Sequence, residues 1–259
     1  MTGDAVRLLK SLIAHPLTRG ADLDDPRTTA LRRRIIASKP FLRRLYREWY
    51  TTLAADLPAG DGRVLELGSG AGFFGEIVPE AICSEVFLCP DIDVVLDGQR
   101  MALADEALRA IVMTDVFHHL PRAREFFREA TRVVRPGGVV AMIEPWVTPW
   151  SKLIYTKLHH EPFRPEAGEW EFPSSGPLSG ANGALPWIVF ARDRAIFQRE
   201  FPRWRIERID PIMPLRYLLS GGVSMRSLLP GQMYRPVAAM EKLLGQRGAM
   251  FAHIVIRKR

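Results

Sequence analysis

Cysteine is nearly absent from this 259-residue chain: only Cys83 and Cys89 occur, six positions apart. Two thiols make neither a disulfide framework nor a four-ligand zinc site, so a reducing, cytoplasmic setting is the default. No apolar run reaches the roughly 18 residues that a membrane span requires. The opening stretch MTGDAVRLLKSLIAHP carries charges inside its apolar part and has no convincing cleavage site. It reads as an amphipathic helix rather than a signal peptide. Internal repeats and low-complexity segments are lacking. Lysine is scarce, since 30 of the 36 basic residues are arginine. What is present is an ordinary globular balance: 47% hydrophobic and 25% charged residues can bury a real core, which excludes disorder as the main state. The net charge of +7 permits anionic partners, but arginine richness beside plentiful Ala, Gly and Pro fits codon bias equally well.

The first sixty residues read as helical. Phe41, Leu42, Leu45, Tyr46, Trp49, Tyr50, Leu53 and Leu57 recur at helical spacing, with Pro40 suited to the first turn. From Arg27 to Arg47 there are eight basic residues and no acidic one, which suits a solvated helix face, a substrate lid or an anionic docking surface. Short apolar strands then alternate with helices. Arg63–Leu67, Glu85–Leu88, Val94–Leu96, Ala110–Thr114, Val139–Ile143, Trp204–Ile209 and Phe251–Ile256 are predicted strands. Phe73–Val78, Arg122–Val134 and Arg192–Phe201 are predicted helices, the second ending at Arg135-Pro136-Gly137-Gly138. This alternation argues a parallel sheet with helices on both faces. Two aromatic-rich stretches, 145–191 and 211–248, interrupt it and suggest an inserted substrate cap.

The most informative segment is Val64-Leu65-Glu66-Leu67-Gly68-Ser69-Gly70-Ala71-Gly72-Phe73, a strand running into a glycine turn that lets backbone approach a ligand closely. Glu66 precedes the first glycine by two residues. Glu85 follows it by 17, near the end of the next strand, where an acid can accept from both hydroxyls of a ribose. Asp97-Gly98-Gln99 follows a third strand. With Met113–Leu120 after the fourth strand and Val134-Arg135-Pro136-Gly137-Gly138 before the fifth, residues 60–145 resemble the class I S-adenosylmethionine-dependent methyltransferases. The chain departs from the usual pattern at Met101-Ala102-Leu103, where the family has Leu-Pro-Phe. The rival is a dinucleotide fold, since Gly70-Ala71-Gly72-Phe73-Phe74-Gly75 formally satisfies GxGxxG. Counted from the strand end at Gly68, however, its third glycine position is Phe73.

The resemblance implies an α/β fold: a Rossmann-like, doubly wound seven-stranded sheet whose last strand is antiparallel. Residues 1–58 would form an N-terminal helical lid, and 59–259 the methyltransferase domain with its two insertions. It implies that Glu66, Gly68, Ser69, Gly70, Ala71, Gly72, Phe73, Glu85, Asp97, Gln99 and Asp115 hold S-adenosylmethionine and release S-adenosylhomocysteine. The expected acceptor is a small organic molecule. An RNA acceptor is the alternative suggested by the arginine-rich helix, weakened by the lack of an RNA-binding module or an Asn/Asp-Pro-Pro-aromatic motif. A catalytically silent donor-binding protein is the other. His119, after the fourth strand, and Glu144, at the end of the fifth, are the candidate catalytic groups. Tyr46, Trp146, His159 and His160 are candidate acceptor contacts. The small residues of 174–183 could form a mobile edge. The aromatics Trp146, Trp150, Tyr155, Phe163, Trp170, Phe172 and Trp187 suit either a core under the insertion or an apolar pocket. Although His118-His119 and His159-His160-Glu161 are suggestive together, neighbouring side chains diverge, and no metal is assigned. Oligomeric state is left open.

Overall fold

The computed structural model describes residues 15, 25–159, 161–176 and 180–259. The expected helix at the chain start, His160 and the centre of the 174–183 loop lie outside the described residues. Helices α1 (Pro26–Ser38) and α2 (Pro40–Ala55) precede strands β1 (Arg63–Leu67), β2 (Ala81–Glu85), β3 (Val94–Val95) and β4 (Leu108–Thr114). Helix α3 (Ala123–Val133), β5 (Val134–Pro145) and α4 (Pro149–Lys157) follow, then a helical turn at Leu185–Trp187 that runs into a π-turn at Ile188–Arg192. The chain ends with α5 (Arg194–Glu200), β6 (Trp204–Ile212), α6 (Arg216–Ser220), α7 (Tyr234–Leu244) and β7 (Phe251–Lys258).

The seven strands form one sheet in the order β3-β2-β1-β4-β5-β7-β6, with β7 antiparallel to both neighbours. This is the expected sheet, with its expected final pair. The chain reverses direction across the sheet between β1 and β4, so a crevice opens at the carboxyl ends of those two strands.

Side-chain alternation along β7 separates the two covered faces. Phe251 meets Trp49 of α2 at a ring-centroid distance of 4.9 Å. Seven residues on, Lys258 lies opposite Trp204, whose indole N–H donates to Thr131 Oγ1 of α3 at 2.8 Å. Helices α2 and α3 therefore sit on opposite sides. Pro40 starts α2, and its apolar stripe from Phe41 to Leu53 is buried in the same core as the sheet. Truncating a side chain such as Trp49 there typically costs about 3–5 kcal/mol.

The predicted helix over Phe73–Val78 does not form. Only a 3₁₀ turn, Phe74–Glu76, follows the glycines. Gly75 and the nearby Pro79 disfavour continuation. The space such a helix would cover is taken by α2, whose Tyr50 packs edge-on against Phe73 and Phe74 at 4.9 and 5.6 Å. The segment after the glycines therefore contributes no α-helix to the turn. Strand β2 also lies earlier than expected, over Ala81–Glu85, which leaves Glu85 at its carboxyl end and Leu88 exposed. Helix α3 ends at Val133, and the Pro-Gly-Gly segment belongs to β5. No helix among the described residues is long and apolar enough to cross a membrane.

Candidate active site

The crevice has two ends. At one end lie the glycine turn, Glu66 and Glu85; at the other lie Asp115, His119, His159 and Glu161. A second recess shares Gly68, Glu85, Val116 and His119 with it and continues to Asp97, Gly98 and Gln99.

The turn needs glycine at two places for different reasons. Gly70 has φ +35°, and a Cβ there would come within 2.9 Å of Glu85 Oε2. At Gly72 a Cβ would run into the Tyr50 hydroxyl. Backbone thus stands directly against the cavity. Glu66 is buried at the end of β1, and its Oε2 has no hydrogen-bond partner. Burial pushes its carboxyl up to about 7. An orphaned carboxylate oxygen lining a cavity is the complement of a ligand's ammonium group. Glu85, raised by burial, accepts from Val86 N–H at 2.8 Å and keeps lone pairs toward the same space. Farther along, Asp97 Oδ1 accepts from Gln99 N–H at 2.8 Å and from Gln99 Nε2 at 3.2 Å. Gln99 Oε1 accepts from Arg122 N–H at 2.9 Å, so its amide fixes the recess wall. Glu66, Gly68, Ser69, Gly70, Ala71, Gly72, Glu85, Asp97, Gln99 and Asp115 all line the two connected cavities. Phe73 does not. It turns behind the glycines against Tyr50, with the Arg43 guanidinium 4.9 Å above its ring.

The opposite end is organised by a 3₁₀ turn, Phe117–His119. Phe117 is fully buried and anchors the turn among Phe126, Phe127 and Phe190, at 5.8, 5.5 and 5.8 Å. Glu144 faces the same edge, as its strand position suggests, but it is fully buried and its side chain does not line the crevice. Its carboxylate accepts from Val116 N–H and Phe117 N–H at 2.8 and 2.7 Å, and Oε2 lies 2.8 Å from His118 Nδ1. Glu144 therefore positions the turn and does not reach the crevice as a catalytic group would. Trp146 is likewise buried away from the crevice, its backbone N–H bound to Met250 O at 2.8 Å, so it is no acceptor contact.

Asp115 lines the crevice with about 30% of its side chain exposed, and its φ of +61° is unusual for a non-glycine residue. Burial raises its carboxyl to about 7, against the lowering effect of His118. His119 is held down to about 4 by burial and by the charge of His118, so it is neutral at pH 7. Glu161 comes from the insertion after β5, which is stapled beside the turn. Asn182 N–H donates to His118 O at 3.0 Å, and Gly183 N–H donates to Pro162 O at 2.9 Å. Of the insertion's aromatics, Tyr155 and Phe163 stack at 4.7 Å and line a small annex beside His159, while Trp170 is buried in the core.

Thr29 and Arg32 of α1, with Tyr46, Tyr217, Val223 and Ser224, complete the walls. Tyr46 was expected there; the others carry no local signal. The basic stretch mostly serves the fold. Arg33 donates to Gly70 O at 2.8 Å and pairs with Asp91, Arg43 donates to Glu76 at 3.1 Å, and Arg44 donates to Gly231 O at 2.8 Å. Lys39 is buried, and its ammonium donates to the carbonyls of Gly222, at 2.7 Å, and Met225. Burial lowers it to about 8.

Residues 65–142 match the family model described as a methyltransferase domain. Relatives from Mycobacterium bovis and Mycobacterium tuberculosis, each called an uncharacterized methyltransferase, are 27% and 26% identical over 227 residues, covering 69% of this chain and 87% of the relative. Among solved structures, a geranyl diphosphate C-methyltransferase from Streptomyces coelicolor, crystallised with Mg²⁺, geranyl diphosphate and S-adenosyl-L-homocysteine, is 15% identical. It covers 99% of this chain and 97% of its own, with a TM-score of 0.52. A methyltransferase from Thermotoga maritima is 13% identical over 83% of this chain and 89% of its own, with a TM-score of 0.50. At such identities these two likenesses are likenesses of fold.

Proposed function

Taking the chain as a class I S-adenosylmethionine-dependent methyltransferase, we propose that it methylates a small organic acceptor bound between Asp115, His119, Tyr46 and Tyr217. The observation that carries this is the buried Glu66 Oε2, unpartnered beside a glycine turn and facing one crevice with Glu85. These residues fit the donor: Glu66 would hold its ammonium, Glu85 its ribose hydroxyls, and the Asp97 recess its base. The bound donor supplies a methyl group already activated by sulfonium charge. The chain's task is then mainly to hold the two reactants aligned, an effect that can reach about 7–11 kcal/mol.

The acceptor end also has to take a proton when the acceptor holds one at neutral pH. Asp115, which the resemblance places among the donor contacts, is better suited to this than His119, because it stands at the cavity wall beside the acceptor end with a carboxyl near 7. His119 Nε2 is directed toward Glu161 at 3.7 Å. The internal engagement of the arginine-rich stretch favours a small acceptor over RNA. A cytoplasmic location is supported by the unbridged Cys83 and Cys89.

Calorimetry with S-adenosylhomocysteine, followed by radiolabelled methyl transfer to panels of small molecules and to RNA, tests the proposal. The expected result is one product molecule bound per chain and label in a small molecule. Label found only in RNA overturns the acceptor class. Product binding with no transfer to any acceptor points to a silent binding protein.

A further inference from the structure

We propose that His118, His119 and Glu161 form a binding site for one divalent transition-metal ion at the acceptor end of the crevice. Side chains of adjacent residues ordinarily diverge. Here the 3₁₀ turn sets the two imidazole rings 4.3 Å apart with a 41° tilt. Both present Nε2 to one carboxylate, His118 to Glu161 Oε2 at 3.4 Å and His119 to Glu161 Oε1 at 3.7 Å. One ligand atom from each of the three residues lies within 4.8 Å of the other two. A tetrahedral ion with bonds near 2.0–2.1 Å places its donor atoms about 3.4 Å apart, so the existing spacing needs only small adjustment.

The far side of each ring is a second and independent observation. His118 Nδ1 lies 2.8 Å from Glu144 Oε2, on a carboxylate that also accepts from two backbone N–H groups. His119 Nδ1 lies 3.1 Å from Gly180 O, which can only accept. Each ring therefore holds hydrogen on Nδ1 and turns Nε2 to the shared space; His118, charged between Glu144 and Glu161, gives up its Nε2 proton when an ion binds there. Carboxylate or carbonyl behind Nδ1, with the lone pair on Nε2 in front, is the outer-shell arrangement that orients metal-binding histidines. The pattern occurs twice, on neighbouring residues, around one carboxylate.

Two imidazole nitrogens and a carboxylate suit Zn²⁺, Mn²⁺, Fe²⁺, Co²⁺ or Ni²⁺. Mg²⁺ and Ca²⁺ favour all-oxygen sites. Three protein ligands leave coordination free. His119 and Glu161 line the crevice, so the free position faces it. An oxygen of the bound small molecule would occupy that position. The ion site stands apart from the methyl-transfer proposal, and only the identity of this further ligand rests on it. His159 is a neighbour rather than a ligand, since its Nδ1 accepts from Glu161 N–H at 3.3 Å.

The test uses the full chain, stripped with chelator, dialysed and titrated with Zn²⁺ by calorimetry and with Co²⁺ by visible absorption. The expected result is one ion per chain and ligand-field bands for Co²⁺. Glu161→Gln should weaken the ion by at least about tenfold while S-adenosylhomocysteine affinity stays within threefold, and His119→Ala should weaken the ion by a similar factor. If His119→Ala loses its circular-dichroism spectrum, His119→Asn takes its place beside Glu161→Gln. A chain that binds S-adenosylhomocysteine but no ion overturns the metal site and leaves the methyltransferase proposal standing. Undiminished ion binding in the variants also overturns it, placing the ion elsewhere. Ion binding that depends on these residues, in a chain that ignores S-adenosylhomocysteine, supports the site and counts against the donor assignment.

Discussion

The proposed donor end and the proposed acceptor end of the crevice use different materials. The donor end draws its contacts from positions 66–99, on three neighbouring strand ends, and uses backbone and carboxylates. The proposed acceptor end collects Tyr46, His119, Glu161, Tyr217 and Val223, which are far apart in sequence and meet only when helices and insertion pack on the sheet. A ligand shared by many enzymes can be held by a compact local motif, whereas selectivity for one acceptor is assembled from long-range packing. Substitutions should therefore separate cleanly into those that change donor affinity and those that change turnover.

The largest separation is expected at Asp115. Asp115→Asn should lower turnover by about 10²–10⁴-fold on any acceptor that loses a proton, while donor affinity stays within threefold. A matching loss of S-adenosylhomocysteine binding, read by calorimetry, would place Asp115 in the donor end instead. Next comes Glu85→Ala, which removes the acceptor of two hydroxyl hydrogen bonds. At about 1.5–3 kcal/mol for each bond to a charged group, S-adenosylhomocysteine affinity should fall at least about 100-fold. Unchanged affinity would break the donor assignment.

The pH dependence sharpens the contrast. Glu66 titrates near 7, and only its ionised form attracts an ammonium group. Affinity should be about tenfold weaker at pH 6 than at pH 8, and Glu66→Gln should flatten that dependence. Asp115 ionises in the same range, so turnover at saturating donor should also rise with pH through about 7, by a route that Asp115→Asn removes. The smallest effect belongs to Arg33→Ala. It frees the Gly70 carbonyl from a partly exposed guanidinium and should weaken the donor only about threefold, measured in the same calorimeter.

This contrast also explains what the sequence made legible. The strand–glycine–acid pattern put Glu66, Glu85 and Asp97 along one crevice because it is local chemistry at fixed spacing, and the family resemblance implied the sheet with its antiparallel last strand. The helix expected after the glycines failed because α2 already covers that ground through Tyr50, 23 residues before Phe73. Glu144 was placed at the right edge by topology. Its burial beneath two backbone N–H groups and His118 depends on how the 3₁₀ turn folds over it, which no local pattern records. Thr29, Arg32 and Tyr217 left no trace, since a wall residue from a distant helix looks like any other helical residue.

One buried cation has a mechanical consequence for the mouth of the crevice. Lys39 joins the α1–α2 junction to the carbonyls of Gly222 and Met225. Thr29 and Arg32 stand on one bank of the entrance, and Val223 and Ser224 on the other. Through that ammonium the two banks are joined as parts of one frame, so the spacing of the crevice walls is fixed from behind rather than by the residues that line them.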